Sequence, residues 1–491
     1  MKRKQRAWGA AAVVAALLLA GPPAFASPAP GAPGVGDVLW PTAGNGGYRV
    51  ERQRLSFDFP ADLETYTATS QLALRATQSL SRFDLDLLGP QVREVKVDGR
   101  QATWQSTSDG ELVITPPRPI RDGARFTVSV TVFNTSPDLA AHPPSGPDGL
   151  VNGMWRAGNY IQLHNQPVGA RRVLAVDDHP SAKAPTTVSI TTTGSANSVA
   201  NGRLVSTTVS GTRTTRVFDE PRPLATHLLQ VGVGPFTVVH RRGPDGLDLR
   251  HAVPTDMADA VLPQLDKVYP EAIEFLSRRL GRFPGTIAGA YASPTGGALE
   301  TQGLTWLSAE QLTPENYEAN GFDGTVAHEI VHEWFGDSVA PARWSDLWLS
   351  EGHARFYEWM WGEAHGRSTL DENARHAYEA HRENWLTKYG PIAAPDPASF
   401  EGSDDRPFSE GVYAGGALAL YALRQQVGDS TFERIERAWV TENHDNTGST
   451  EKYIATASQV AGQDLGPFLR SWLYAKGTLP PMPGHPDWHA A

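Results

Sequence analysis

Three residues, His328, Glu329 and His332, have types and a spacing that suit metal chemistry. On a helix, positions four apart share a face, so the two histidines can direct both imidazoles at one cation. Glu329 then lies beside them, where its carboxylate can take a proton from an attacking water molecule. Because the same pattern also arises by chance or on a solvated helical face, this interpretation requires a third metal ligand elsewhere in the chain.

A downstream glutamate, Glu351, supplies that ligand. A catalytic zinc ion takes three protein ligands and leaves a fourth position open. Glu351 lies in the run Trp348-Leu-Ser-Glu-Gly-His-Ala354, far enough along the chain from His332 to come from the next helix. We therefore predict one zinc ion per chain, and the predicted ligands are His328, His332 and Glu351.

These two runs resemble the core of the gluzincin metallopeptidases, within the group of aminopeptidase N and leukotriene-A hydrolase. That family reads roughly HExxHxWFGxxV and then WLNEGFA, whereas this chain reads HEIVHEWFGDSV over 328–339 and WLSEGHA over 348–354. The resemblance spans most of the chain. It implies a zinc aminopeptidase that acts on peptides with a free N-terminus.

The segment 296–306 is similar to the GAMEN segment of this family. Three positions match and are implied to bind substrate: Gly297, Ala298 and Glu300. The resemblance gives Glu300 the role of holding the substrate's free amine. Leu299 and Thr301 depart from the family's Met and Asn at the pocket for the substrate's first side chain.

Two further positions follow from the resemblance. Gln166 leads the segment 166–183, which matches the family in an Arg-bearing stretch and an Asp-x-Pro-x-x-Lys ending. It is implied to help Glu300 hold the amine, and so to bring the N-terminal domain into the active site. Tyr413 lies at the position of the catalytic tyrosine and is implied to donate a hydrogen bond to the oxyanion. Gly415 stands where the family usually has Lys.

Length and composition are those of a globular protein. The chain has 491 residues, of which 40% are hydrophobic and 20% charged, with room for about two or three domains. Its formal net charge of −11 argues against nucleic acid as a partner. The absence of cysteine excludes a disulfide framework and a thiol nucleophile. No Gly-x-Ser-x-Gly elbow of a serine hydrolase occurs in the sequence.

The first residues have the pattern of a secretory signal. The basic start Met1-Lys-Arg-Lys-Gln-Arg6 precedes an apolar run over 7–20 and an Ala-x-Ala site that ends at Ala26. This arrangement predicts a signal peptide over 1–26, cleaved after Ala26, and a secreted protein. The apolar run is shorter than the roughly 20 residues that span a bilayer, so we expect no membrane anchor after cleavage.

Hydropathy patterning predicts a multidomain α+β fold. Residues 27–46, rich in Pro, Ala and Gly, predict a flexible lead-in. Over 47–240, short runs of period two, such as Phe126-Thr-Val-Ser-Val-Thr-Val-Phe133, predict an antiparallel β domain of saddle or sandwich type. Over 241–478 the pattern becomes mainly helical, and the resemblance implies a thermolysin-like zinc peptidase domain. Residues 479–491 are predicted as a short tail, with no C-terminal helical lid domain.

Together the residues predict a secreted zinc aminopeptidase that hydrolyses N-terminal residues from peptides with a metal-activated water molecule. Two alternatives stay open at this point. A hydrolase of another bond, such as an epoxide, can use the same zinc, and a noncatalytic peptide-binding relative can keep the fold. Aminoacyl and epoxide substrates assayed side by side separate the two enzymes. The sequence leaves the oligomeric state open.

Overall fold

The computed structural model describes residues 27–139, 152–294, 296–380, 385–400 and 407–488. The predicted signal peptide, residues 1–26, lies outside the described residues and stays a prediction. Within the described ranges, no helix combines the length and the apolar character that crossing a bilayer requires.

The strands and helices of the described residues are numbered in chain order. The strands are β1 (Ala29–Pro30), β2 (Tyr48–Phe59), β3 (Thr65–Ala76), β4 (Leu80–Asp86), β5 (Gln91–Val97), β6 (Arg100–Gln101), β7 (Thr103–Ser106), β8 (Glu111–Thr115), β9 (Arg125–Thr135), β10 (Gly153–Ala157), β11 (Tyr160–His164), β12 (Ala184–Thr193), β13 (Asn197–Ala200), β14 (Arg203–Ser210), β15 (Arg213–Leu224), β16 (Val231–Gly234), β17 (Phe236–Arg242), β18 (Asp248–Pro254), β19 (Ile287–Ala288), β20 (Ala290–Ser293), β21 (Ala298–Leu299), β22 (Thr305–Ser308), β23 (Ala340–Pro341) and β24 (Thr447–Gly448). The helices are α1 (Ala258–Leu280), α2 (Pro314–Asn320), α3 (Phe322–Val331), α4 (Trp348–Ala364), α5 (Leu370–Ala380), α6 (Leu386–Tyr389), α7 (Glu410–Val427), α8 (Asp429–Glu442), α9 (Thr450–Ala461) and α10 (Gly466–Leu473).

An eight-stranded sheet forms the body of the N-terminal β domain, in the order β14-β15-β12-β2-β3-β9-β5-β6. Its neighbouring strands are antiparallel, except that β12 and β2 run parallel. In β12 every second residue from Ala184 to Thr192 is buried, because alternate side chains of a strand point to opposite faces. A four-stranded sheet, β1-β4-β8-β7, shares the same core, where Phe57 of β2 and Phe83 of β4 are both buried. The predicted N-terminal β domain of saddle or sandwich type is confirmed as a multi-sheet β domain, with one parallel pair in its otherwise antiparallel main sheet.

A mixed sheet lies next to the helices, in the order β17-β18-β20-β22-β21, with β19 also paired to β18. Strands β18, β20 and β22 are parallel, and the edge strand β21 is antiparallel to β22. Helix α1 packs on this sheet, since Leu265 and Val268 share a core with Leu249 and Leu307. The sheet therefore holds β21, which carries Ala298, at the border of the helical core.

Helices α4 and α7 cross at two glycines. A Cβ added to Gly352 of α4 would lie 2.8 Å from Cα of Gly416 on α7, and a Cβ on Gly416 would lie equally close to Gly352. Such a distance is too short for a side chain, so the close approach requires glycine on both helices. It brings Tyr413, about one turn before Gly416, next to the helix that carries Glu351. The helical domain after the β domain is the predicted fold class, and it is confirmed.

The prediction of a flexible lead-in over 27–46 is wrong. Strand β1 pairs with β4, and Leu39 and Ala43 are fully buried. A carboxylate oxygen of Asp37 accepts a hydrogen bond from the backbone N–H of Trp344 at 2.8 Å, and Trp40 packs edge-on against the same Trp344. The few anchoring side chains in this Pro- and Gly-rich segment are thus sufficient to fix it across the β domain and the helical domain.

Two predicted boundaries can be located in the fold. The boundary after residue 240 falls inside β17, which pairs with β18 from Phe236 to Arg242. In the predicted tail, residues 479–488 are described, and Met482 and Trp488 are buried in the core of the helical domain. No helix follows α10 within the described residues. The domain limits themselves stay predictions.

Candidate metal centre and active site

Helix α3 carries the two histidines. His328 lies in its last turn, and His332 follows directly after its end, still with helical dihedral angles (φ −58°, ψ −24°). The ring centroids are 5.0 Å apart, as expected for side chains four positions apart on one face. Apolar neighbours on the same helix, Val326 and Ile330, are buried in the helical core and fix its orientation.

Glu351, in the first turn of α4, faces both imidazoles. Its Oε2 lies 3.4 Å from Nε2 of His328 and 3.4 Å from Nε2 of His332. The three ligand atoms fall within 4.8 Å of one another, and all three side chains are buried. The three predicted ligands are therefore brought together, in the number that a catalytic zinc site requires.

Hydrogen bonds on the far side of each ring decide which nitrogen faces Glu351. Nδ1 of His332 lies 3.0 Å from the carbonyl oxygen of Phe335, which can only accept, so this nitrogen donates. Nδ1 of His328 lies 3.0 Å from a carboxylate oxygen of Glu358 and donates in the same way. In the neutral rings Nε2 then carries a lone pair, and Oε2 of Glu351 has no hydrogen-bond partner. Three acceptor atoms that converge in this way fit a bound cation.

The electrostatics of this cluster favour positive charge. Burial lowers the pKa of His328, but the nearby carboxylates of Glu351 and Glu358 outweigh it and raise the pKa to about 9. The pKa of His332 is raised in spite of burial, mainly by Glu351 and Glu300. Burial raises the pKa of Glu351, but His332 and His328 hold it at about 2. A metal ion at this point would take the place of the protons on the imidazoles.

Glu329 is buried beside the three donors and lines the same cavity. Burial raises the pKa of its carboxyl to about 8, against the opposing effect of His328 and His332. Glu300 adds to the rise because it is a second buried carboxylate close by. A carboxylate whose pKa is shifted towards neutral suits a general base.

Glu300, directly after β21, forms the other side of the cluster. One of its carboxylate oxygens lies within 4.8 Å of ligand atoms of both Glu329 and His332. Gln166, which follows β11 in the β domain, donates a hydrogen bond from Nε2 to Oε1 of Glu300 at 2.5 Å. Both side chains are buried, and burial raises the pKa of Glu300 although His332 opposes it. This carboxylate would gain from a positively charged partner.

Tyr413 and Ala298 also line the cavity, whereas Gly297 does not. The Tyr413 ring is nearly parallel to the His328 ring at a centroid distance of 6.0 Å. Gly297 instead accepts a backbone hydrogen bond from Ser308 through its carbonyl oxygen. Of the four predicted substrate-binding residues, Gly297 is thus the one that does not line the cavity.

The cavity has a volume of about 270 Å³, and its walls include residues that the sequence motifs do not single out. Arg355 and Glu358 lie one and two helical turns after Glu351 on α4, so helical spacing alone could have found them. Glu358 holds His328, and the Arg355 guanidinium lies 5.6 Å from the centre of the Tyr413 ring. These two side chains thus line the cavity and contact the predicted site residues His328 and Tyr413.

Fold and donor set together define a gluzincin-type metallopeptidase domain. The family model described as "Peptidase family M1 domain" matches residues 287–472. The chain superposes on the M1 zinc metallopeptidase of Deinococcus radiodurans with a TM-score of 0.76 and 29% identity, covering 92% of this chain and 98% of that one. A variant of that enzyme bound to a Tyr-Ser-Ala substrate gives a TM-score of 0.78 with 28% identity, covering 92% of this chain and 100% of that one. Residues 287–472 thus match an M1 peptidase domain, and the similarities over most of the chain support an aminopeptidase N-like gluzincin family.

Curated relatives carry aminopeptidase names. The "Probable aminopeptidase 1" of Sulfurisphaera tokodaii is 23% identical over 455 residues, which cover 87% of this chain and 53% of that protein. The "Aminopeptidase N" of Haemonchus contortus is 27% identical over 337 residues, which cover 64% of this chain and 34% of that protein. The chain thus spans about half or less of the length of these two relatives.

Proposed function

We propose that this protein is a secreted aminopeptidase that binds one zinc ion per chain and removes the N-terminal residue from peptides. One observation carries the proposal: the buried pair of Gln166 and Glu300 lies directly beside the metal donors. A carboxylate in this position can hold the amine of a peptide whose first carbonyl is next to the metal. The names of the relatives and the peptide-bound Deinococcus structure support the same substrate class.

The residues divide the chemistry among them. A zinc ion held by His328, His332 and Glu351 would act as a Lewis acid on the carbonyl of the scissile bond. Glu329 accepts a proton from the attacking water molecule and then delivers it to the departing amine nitrogen. Tyr413 keeps its phenolic proton, since burial raises its pKa well above the usual value, and donates a hydrogen bond to the oxyanion as it forms.

Exo-specificity comes from recognition of the substrate ammonium. The Glu300 carboxylate accepts a charge-assisted hydrogen bond from it, which is roughly twice as strong as a neutral one. Because Nε2 of Gln166 is engaged by Glu300, Oε1 of Gln166 remains to accept a second hydrogen bond from the ammonium. A peptide bond inside a longer chain brings no ammonium to this point. Glu300 would then be left buried without its partner, which disfavours internal cleavage.

The proposed zinc dependence is tested with a panel of chromogenic aminoacyl substrates. We expect hydrolysis by the purified protein, loss of hydrolysis after a chelator, and recovery after zinc is added back. Glu433→Gln, on the exposed side of α8 and outside the cavity, is a control variant that should respond to the chelator and to zinc as the wild type does. Activity that survives complete removal of metal, or a panel with no substrate at all, would contradict the proposal.

The proposed secretion rests on the pattern of residues 1–26 and needs a separate test. Expression with the native N-terminus, followed by N-terminal sequencing of the protein in the medium, should give a chain that begins at Ser27. A cell-associated protein that retains residues 1–26 would contradict secretion without affecting the proposed chemistry.

A further inference from the structure

The wall of the active-site cavity carries one permanently charged cation. Among the described residues that line the cavity, Arg355 alone has a guanidinium or ammonium group. It lies on α4, about one turn after Glu351, so the two side chains share a face of that helix. The side chain of Arg355 is 27% exposed. The metal ligands, the base and the amine-binding pair leave this charge without a task in the proposed chemistry.

The guanidinium of Arg355 keeps donors for a ligand. It has five N–H donors, and within the described part of the chain its one hydrogen bond runs from Nη2 to Oε1 of Glu410, at a long 3.4 Å. Nε lies 3.3 Å from Oε2 of Glu358 but makes no hydrogen bond with it. Glu358 also accepts from His328, and the side chain of Glu410 is 51% exposed, so solvent screens its charge. Neither carboxylate therefore uses up the donors of this guanidinium.

Contacts along the cavity wall place Arg355 and Glu300 at opposite ends. The Arg355 guanidinium lies 5.6 Å from the centre of the Tyr413 ring, which in turn lies 6.0 Å from the His328 ring. The rings of His328 and His332 are 5.0 Å apart, and a ligand atom of His332 is within 4.8 Å of a Glu300 oxygen. Of the two histidines, His332 has the larger effect on the pKa of Glu300. The metal donors thus lie between a carboxylate and a guanidinium.

This polarity matches the direction of a bound peptide, and the inference rests on the function proposed above. With the substrate ammonium at Glu300 and the first carbonyl beside the metal donors, the chain after the scissile bond continues towards Tyr413 and Arg355. One residue advances an extended peptide by at most about 3.3–3.6 Å. The cavity of about 270 Å³ is small for a ligand site, so it admits the first residues of a peptide only. The second residue is therefore the one that Arg355 faces.

We propose that Arg355 binds a carboxylate on the second residue of the substrate. That carboxylate is either the side chain of an Asp or Glu residue or the terminal carboxylate of a dipeptide. The planar fork of a guanidinium pairs with a carboxylate through two parallel hydrogen bonds, which are charge-assisted. An amide at the same place offers one uncharged oxygen. Peptides with a carboxylate on the second residue are thus the preferred substrates.

A different role for Arg355 makes a different prediction. Its guanidinium is close enough to the Tyr413 ring for a cation–π contact, so it also bears on the position of the phenol. A residue that only positions Tyr413 changes kcat for every substrate by the same factor. A residue that binds the substrate carboxylate changes the ratio of kcat/KM between acidic and neutral substrates. This ratio is the readout that separates the two roles.

The test uses two matched pairs of peptides with the zinc-loaded full-length protein. One pair is Ala-Glu-Ala and Ala-Gln-Ala, both with an amidated C-terminus, and the other is Ala-Ala and its amide. In the wild type, kcat/KM should be about tenfold higher for the member with the carboxylate in at least one pair. Arg355→Gln should bring this ratio to about one, and Arg355→Lys should keep part of it because the charge remains without the fork. Arg375→Gln, at an exposed position of α5, should keep the wild-type ratio.

Calorimetric titration of the same peptides into zinc-loaded Glu329→Gln tests recognition apart from turnover, and the affinities should follow the same order. A preference in one pair alone supports the proposal and identifies the source of the carboxylate. Ratios near one in the wild type, a preference that survives Arg355→Gln, or an equal loss on both members of a pair would each overturn it while the aminopeptidase assignment stands. Hydrolysis of none of the peptides would contradict the proposed function instead, and the titration then decides the role of Arg355. If Arg355→Gln does not fold, the wild-type and Arg355→Lys ratios decide the question.

Discussion

Two buried groups of carboxylates, one at the metal centre and one in the β domain, differ in how their oxygens are used. At the metal centre, Glu351 faces two imidazoles whose outer nitrogens are fixed by Phe335 and Glu358, so the free acceptors converge on one point. In the β domain, Asp86 accepts hydrogen bonds from backbone N–H groups and from the Asn45 side chain, whereas burial and the carboxylates of Asp86 and Asp84 raise the pKa of Glu111 to about 9. The first arrangement orients ligands for chemistry, and the second leaves a charge to be neutralised. Substitutions in the two groups should accordingly change different properties.

The largest expected effect separates the base from the metal ligands. Glu329→Gln should lower kcat by about 10²–10⁴-fold while zinc content and Tm stay near the wild-type values, because the ligands remain. Glu111→Gln in the β domain should instead change Tm and leave kcat nearly unchanged. Steady-state kinetics with metal analysis of both variants checks this. Equal losses of kcat in the two variants would show that the two groups are not independent.

The second-largest effect is expected from removal of Glu300, the carboxylate proposed to bind the substrate amine. Glu300→Ala should lower kcat/KM for free-amine peptides about a hundredfold, since the charge partner of the ammonium is lost. Gln166→Ala should lower it by about tenfold or less, because a neutral acceptor is lost and Glu300 remains. Kinetics on one dipeptide substrate gives both values. A larger loss in Gln166→Ala than in Glu300→Ala would contradict this assignment.

The third-largest effect is expected from loss of the hydrogen bond between His328 and Glu358. Glu358→Gln should weaken zinc binding by about 10–100-fold, because the charged acceptor that orients the imidazole becomes neutral. Competition with a zinc-binding dye measures the affinity, and Glu433→Gln is the control on an exposed helix surface. Unchanged zinc affinity would mean that Glu358 serves mainly as the partner of Arg355.

The smallest expected effect concerns the helix crossing that places Tyr413. Gly416→Ala would put a Cβ 2.8 Å from Cα of Gly352, which should destabilise the fold by about 1–3 kcal/mol. Because α7 must shift away from α4, kcat should fall more than KM rises. Chemical unfolding and steady-state kinetics test this. Gly428→Ala is unsuitable as a control because φ is positive there, whereas Ala419→Gly on the same helix adds flexibility and removes a buried methyl group without a clash.

The metal centre could be predicted from sequence because its spacing is local. Four-residue periodicity on α3 fixes the relation of His328 to His332, and Glu351 lies at the start of the next long helix. Glu358 and Arg355 follow from the same periodicity on α4, although no motif marks them. Position within each of the two helices carries this information, so the candidate ligand residues could be inferred before the fold was known.

Contacts between distant segments could not be predicted in this way. The composition of the lead-in predicts flexibility because Pro, Gly and Ala carry little patterning, yet Asp37 accepts a hydrogen bond from Trp344, 307 positions further along the chain. The buried carboxylates of the β domain join strands β4 and β8 to residues 44–45 and 171–178, which no single period connects. The glycine pair that sets the α4–α7 distance is likewise visible only when both helices are in place.

Glu300 and Gln166 are proposed to make the hydrolytic metal centre specific for N-termini. This specificity is tested most directly by mass spectrometry of one decapeptide offered with a free N-terminus and with an acetylated one. We expect stepwise loss of single residues from the free peptide and, for the acetylated peptide, cleavage slower by on the order of a hundredfold. Comparable cleavage of the acetylated peptide, or internal cuts in either peptide, would contradict it.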